Sequence, residues 1–219
     1  MAHEAAREGV SANHALSLCY ALCGSAAVLL WAGNAPAAGE LIAMVLDHSA
    51  RHALSYWLGW GRCLDVALTS NRGDRAEAAR HYRDLLRDPL IGAPQLETLG
   101  TISETMVGAE VLARADTGLA GWSTAEILRA HGENLLREGA PDASCTAETL
   151  FRRALDTARG QEALSWELRA ATSLARLWQN QGRGPQARDL LAPIYARFTE
   201  GFATADLTRA RTLLKQLDT

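Results

Sequence analysis

Four times along the chain, an apolar stretch with a small residue near its middle runs into a Gly-containing turn. A second stretch follows, with Ala, a large apolar residue four positions on, and further apolar positions three and four beyond that. The closing copy has Leu174, Ala175 and Trp178, the turn at Gly182, then Ala187, Leu191 and Ile194. The copy before it has Leu128, Gly132 and Leu135, then Gly139, then Ala147, Phe151, Ala154 and Leu155. The second copy reads Trp57, Trp60, Gly61 and Leu64, then Gly73, then Ala78, Tyr82, Leu85 and Leu86; the first reads Tyr20, Cys23, Gly24 and Ala27, then Gly33, then Ala38, Ile42, Val45 and Leu46. One such helix pair cannot bury its apolar face alone, so copies must stack on one another. This recurrence restricts the fold more than any other feature.

The small residues at Gly24, Gly61, Gly132 and Ala175 are separated by 37, 71 and 43 positions. The long gap predicts a degenerate copy marked by Gly100, over about Pro94 to Asp116 and too short for two full helices. A helix-turn-helix unit at this period reads as a tetratricopeptide-like repeat. The expected fold is all-α, a right-handed superhelix of stacked helical hairpins. It forms a single domain over 1–219, with repeats at about 13–50, 54–88, 94–116, 122–160 and 164–199. Small residues let the two helices of a hairpin approach, and the large residue one turn on fills the groove to the next hairpin.

The turns carry matching chemistry. NAPAA at Asn34 to Ala38, GAPDA at Gly139 to Ala143 and GRGPQA at Gly182 to Ala187 each set Pro near a helix start, where its missing N–H would have no partner anyway. Asp74 with Glu77 three later resembles a capping box. After Gly201, Leu207, Leu213, Leu214 and Leu217 lie on one amphipathic segment, about 203–217, read as a capping helix over the open end of the stack.

Composition narrows the function classes. Hydrophobic residues make up 48% and charged residues 21% of the sequence, too apolar for disorder. A net charge of −3 argues against a direct nucleic-acid binder. The start, MAHEAAREGVSAN, lacks the pattern of a signal peptide. The apolar run from Leu16 to Gly33 is interrupted by Ser17, Ser25 and Gly24 and is read as a buried helix rather than a membrane span. The expected location is the cytoplasm. There Cys19, Cys23, Cys63 and Cys145 would be reduced and serve as small buried hydrophobes, since their spacing with His14 and His48 fits no zinc pattern. Neither a metal nor a cofactor is expected.

Several stretches carry a resemblance beyond repeat spacing. Leu150 to Leu214, with SWELRAATSLARLW and FTEGFATADL within it, resembles the C-terminal end of large bacterial regulators. LSLCYALCGSAAVLLWAGN, LDHSARHALSYWLGWGRCLD and HGENLLREGAP extend the likeness to nearly the whole chain apart from about Leu90 to Ala120. In that family a signal-transduction ATPase is joined to a tetratricopeptide region, with a winged helix or an adenylate/guanylate cyclase in front. The resemblance implies that this chain is like the repeat region alone. No GxxxxGK[ST] phosphate loop occurs, and no winged-helix or cyclase segment matches. The expected setting is a free-standing repeat protein, a truncated product or an excised domain.

Enzyme chemistry finds little support. GRGP at Gly182 to Pro185 has no Lys-Ser/Thr after it, and Pro185 removes a donor that a phosphate cradle would need. No GxSxG elbow is present, and DHSARH carries no HExxH glutamate. No catalytic residue is therefore assigned. The expected working surface is the concave one, lined by first helices, with inward polar positions Arg62, Asp65, Arg129, Glu133, Arg169, Thr172, Arg176 and Gln179. The Arg169/Arg176 ladder would suit an acidic peptide or a peptide C-terminus; the alternative is a solvated groove in which both pair with neighbouring Glu. The six tryptophans, Trp31, Trp57, Trp60, Trp122, Trp166 and Trp178, mostly read as core, with Tyr56 and Trp57 candidates for a small-molecule pocket. The function expected is a non-catalytic interaction or sensor module that binds a protein, a peptide or a small effector. A helical-scaffold enzyme or nucleotide-binding protein is the runner-up, and self-association through an exposed edge is a third reading.

Overall fold

The computed structural model describes residues 14–139 and 141–218. Among them all regular structure is helical: α1 (Ala15–Trp31), α2 (Ala35–Arg51), α3 (Ser55–Asn71), α4 (Arg75–Leu85), α5 (Ala93–Ile102), α6 (Ala109–Asp116), α7 (Thr124–Glu138), α8 (Ala143–Gly160), α9 (Leu164–Asn180), α10 (Gly184–Tyr195) and α11 (Ala205–Leu217), with short 3-10 turns at Glu104–Met106 and Gly121–Ser123. No helix among the described residues is long and apolar enough to cross a membrane. The chain divides into two compact units, Met1–Met106 and Val107–Thr219. The predicted degenerate copy is split by that division. Helix α5 belongs to the first unit and α6 to the second, so 94–116 is not one short hairpin.

In the first unit α1 packs on α2, α2 on α3 and α3 on α4, while α5 lies against α3 and α1. Trp31 Nε1 donates to Thr101 Oγ1 at 3.2 Å and ties α1 to α5. In the second unit α7 packs on α6 and α8, α8 on α9, and α9 on α10; α11 covers α9 and α10. Leu207 and Leu213 of α11 are buried and Leu214 and Leu217 half-buried. Asp74 accepts from the Glu77 amide at 3.1 Å, the first half of the expected capping box.

A longer period than the expected one organises these helices. Ala15 and Thr124, Ser55 and Leu164, and Arg75 and Gly184 each open a helix, and each pair stands 109 residues apart. Left-handed backbone recurs at the same offset. Gly33 and Asp142, Ala53 and Glu162, and Gly73 and Gly182 all have positive φ. The second-helix ladder keeps step as well: Ala38, Ala78, Ala147 and Ala187 are wholly buried, and Ile42, Phe151 and Leu191 are buried one turn on. The second unit thus repeats the hairpin plan of the first.

The small residues of the first helices are not equivalent to one another, which corrects the expected repeat phase. A Cβ on Gly132 would lie 2.5 Å from the Phe151 ring of its own hairpin partner, α8. On Gly61 it would lie 2.8 Å from Leu46 of the preceding hairpin. Gly24 is exposed, with nothing within 4 Å. The residue 109 positions before Gly132 is the buried Cys23, and the one before Phe151 is Ile42. The Gly–Phe pair of one unit is a Cys–Ile pair in the other, so a larger side chain on one helix is offset by a smaller one on its partner.

Two further expectations are corrected. Cys19, Cys23 and Cys63 are buried, and burial raises all three thiols, Cys23 and Cys63 to about 12; Cys145 is exposed on α8. Of the tryptophans only Trp178 is buried. Trp31, Trp57, Trp60 and Trp166 are half-buried and Trp122 is exposed. Trp31, Trp57 and Trp60 pack against the edge of the first unit's core with part of each indole left accessible.

Candidate functional site

The expected groove residues fall in both units. In the first, Arg62 and Asp65 of α3 meet α4 across a cleft of about 240 Å³, lined also by Val66, His81, Asp84, Leu85 and Asp88. Arg62 Nη1 donates to Asp88 Oδ2 at 3.0 Å, and Asp88 Oδ1 accepts from the Leu90 amide at 2.9 Å. Arg87 donates to Asp84 at 3.1 Å. Among the described residues Asp65 has no ion-pair partner. Toward the start of α3, three aromatic rings meet edge to face. Trp57 lies 6.0 Å from Tyr20 at 84° and 5.4 Å from Tyr56 at 79°. Tyr20 is 73% exposed and Tyr56 53%, so the cluster is open to a partner. Helix α1, which supplies Tyr20, has no charged residue from end to end.

The second unit puts its predicted residues to a different use. Glu126 of α7 is fully buried and accepts two bonds from Arg129 Nε at 3.0 Å and one from Nη2 at 2.7 Å. Arg169 Nη2 of α9 reaches the same carboxylate at 2.8 Å, with Asp206 of α11 at 3.9 Å. Arg129 Nη1 also donates to Ser173 Oγ at 3.3 Å and to Glu133 at 3.5 Å, and Ser173 donates to Glu133. Desolvating these charges is costly, and the arrangement persists because each guanidinium finds a carboxylate. Arg129 is therefore not a groove residue. Its i, i+3 spacing to Glu126 closes the pair inside the packed face. Thr172 is buried too, and its hydroxyl donates back to the Leu168 carbonyl at 2.7 Å. Of the Arg169/Arg176 ladder, Arg169 is committed to Glu126, whereas Arg176 is exposed with no ion-pair partner among the described residues and Gln179 is half-buried.

Two more Arg–Glu–Arg groupings hold this unit together. Glu148 of α8 accepts from Trp178 Nε1 at 2.9 Å, Arg152 at 2.7 Å and Arg183 at 3.1 Å. Both guanidinium groups lie over the Trp178 ring, at 5.3 and 4.6 Å from its centroid. Burial by itself would raise the Glu148 carboxyl. The hydrogen bonds from Arg152, Trp178 and Arg183 and the Arg183 charge outweigh it and hold the group at about 2. Glu167 of α9 pairs with Arg159 at 2.9 Å and with Arg197 at 2.5 Å. The GRGP turn takes part here: Gly182 is left-handed, α10 starts at Gly184, and Arg183 between them supplies one arm of the Glu148 cluster.

Sequence reasoning did not single out Glu126, Ser173 or Glu148, and it counted Trp122 and Trp166 among tryptophans read mostly as core; Trp122 is exposed and Trp166 half-buried, and their centroids stack at 6.4 Å and 24°. Arg169 lies over Trp166 at 5.3 Å. The signal that would have found this ring is the 109-residue offset, which pairs Trp166 with Trp57 as third residues of α9 and α3. No group of three or more His, Cys, Asp or Glu side chains among the described residues is arranged to hold a metal ion. No protein-family model, no curated protein and no solved structure matches this chain.

Proposed function

We propose that this protein is a non-catalytic interaction module built on tetratricopeptide-like hairpins, akin to the repeat region of the bacterial ATPase-type regulators its sequence resembles. Its partner is a protein or peptide bound on a first-helix face. In a regulator of that kind, occupancy of the face would be relayed to an ATPase and an output domain. The observation that carries this reading is the aromatic cluster in which exposed Tyr20 and Tyr56 meet the half-buried Trp57. Exposed, mutually braced Tyr and Trp rings bring large contact area at low entropic cost, and such residues dominate protein–protein hot spots.

Panning a displayed random-peptide library against the full chain tests this. Enriched sequences whose capture is lost in a Tyr20→Ala/Tyr56→Ala variant are the expected result. An absence of enrichment, together with saturable ATP binding and turnover by the purified chain, would overturn the reading in favour of an enzyme.

A further inference from the structure

The duplicated plan places two aromatic sites at matching positions, and among the described residues only one of them has a cation over its ring. In the second unit, Trp166 has the Arg169 guanidinium over its ring at 5.3 Å, one helical turn on. That guanidinium is anchored by the buried Glu126 at 2.8 Å. At the 109-residue offset, the first unit has Trp57 for Trp166, Trp60 for Arg169, Tyr20 for Arg129 and Ser17 for Glu126. It keeps the aromatic ring, adds two more and loses both the cation and its carboxylate. Among the described residues no cation lies over the faces of Tyr20, Tyr56 and Trp57. Each face carries the negative side of an aromatic quadrupole, which attracts a guanidinium more readily than a strongly hydrated ammonium.

A second feature on the same helix points the same way. Asp65 lies eight residues after Trp57, about 12 Å along α3 at the helical rise. It opens into the cleft shared with Asp84 and Asp88. Arg62 is already held by Asp88 and Arg87 by Asp84, so Asp65 is the carboxylate left for an incoming cation.

We infer that the first unit binds an arginine-bearing peptide, with one guanidinium against the Tyr20–Trp57–Tyr56 rings and a second basic group in the Asp65 cleft. This rests on the interaction-module reading and names the chemistry of its partner. The internal Arg169–Trp166 contact is the pattern that the partner's arginine completes from outside. An extended peptide advances about 3.3 Å per residue, so basic residues four apart cover the roughly 12 Å of axial separation; at about 100° per residue Asp65 stands about 80° round α3 from Trp57, so the peptide crosses α3 obliquely.

The test uses the full chain and a fluorescently labelled peptide with two arginines separated by three glycines, followed by fluorescence anisotropy. A control peptide carries citrulline, which keeps the shape of arginine without its charge. The expected result is saturable binding of the arginine peptide that weakens as salt is raised, and at least about tenfold weaker binding of the citrulline peptide. Tyr20→Ala and Asp65→Asn should each weaken binding by about three- to fivefold, the scale of one exposed cation–π or ion-pair contact. Both positions are solvent-accessible, and a helical circular-dichroism signal equal to wild type would show the fold retained. Equal binding of the citrulline peptide, or full affinity in both variants, would overturn the inference. Enrichment of displayed peptides that lack basic residues would also overturn it while leaving the interaction-module reading in place. Failure of every displayed peptide would remove that reading as well.

Discussion

The two units share a backbone plan and differ in what their first helices do with it. In the second unit, Glu126, Arg129, Arg169 and Ser173 join α7 to α9 through charge, with Glu126 wholly buried. In the first, the matching residues are Ser17, Tyr20, Trp60 and Leu64, with no charge among them, and Tyr20 of α1 meets α3 through the Trp57 ring. What stays constant is the second-helix ladder of Ala38, Ala78, Ala147 and Ala187 and the left-handed turn positions. The scaffold therefore resides in the turns and second helices. The first helices are free to become internal glue in one copy and an exposed aromatic face in the other.

The sharpest way to break this comparison is at the shared carboxylate. Glu126→Ala leaves the buried Arg129 and the half-buried Arg169 without their common partner and should cost about 3–5 kcal/mol in urea unfolding. Transplanting the first unit's residues together, as E126S/R129Y/R169W, removes the charges with their partner and should cost less than the single change. If the triple variant is the less stable of the two, the units are not interchangeable at this junction.

Next comes the helix contact. Gly132→Cys puts a Cβ against the Phe151 ring and should destabilise by about 1–3 kcal/mol. Adding Phe151→Ile, the residue found at the matching place in the first unit, should recover most of that loss. A double variant no more stable than Gly132→Cys alone would show that the two cores are not volume-matched.

A pH series sharpens the electrostatic side. The Glu148 carboxyl is held at about 2, below its ordinary 4.5. Its contribution to stability is complete above about pH 4.5, where the unfolded chain is also ionised, and fades as the pH falls toward 2. The stability gap between wild type and Glu148→Gln should thus be widest near neutrality, on the order of 1–3 kcal/mol, and close in acid. A gap that does not change with pH would assign Glu148 a packing role alone. The smallest effect is expected at Arg176. Arg176 is exposed and has no ion-pair partner among the described residues, so Arg176→Ala should move stability by less than about 0.5 kcal/mol.

Much of the scaffold is legible in the chain itself. Gly33, Gly73 and Gly182 mark turns and adopt the left-handed backbone that favours glycine. The Ala–large–apolar ladder of the second helices lands mostly on buried positions in all four hairpins; Leu46 and Tyr82 are half-buried and Leu86 is exposed. The phase of the first helices was not legible. A Gly can serve its own hairpin, as Gly132 does, the preceding one, as Gly61 does, or neither, as with Gly24, and sequence spacing does not say which neighbour it faces. The candidate site was half legible. Arg62 and Asp65 do line a cleft, whereas Arg129 and Thr172 are buried and Arg169 is engaged by a carboxylate contributed by another helix, α7.

Taken by itself, the sequence determined the local choices: helices throughout the described residues, where they stop, and which face of each second helix is apolar. Those follow from periodicity, turn chemistry and steric limits on the backbone, which act over a few residues. Only the tertiary structure decided which charges are spent internally and which surfaces remain open. Glu126 and Arg169 are 43 positions apart and meet only because α7 and α9 pack together. Tyr20 and Trp57, 37 positions apart, meet only because α1 packs on α3. An arginine reads the same in either sequence context; whether it becomes glue or a ligand-facing group depends on the desolvation and partners that packing gives it.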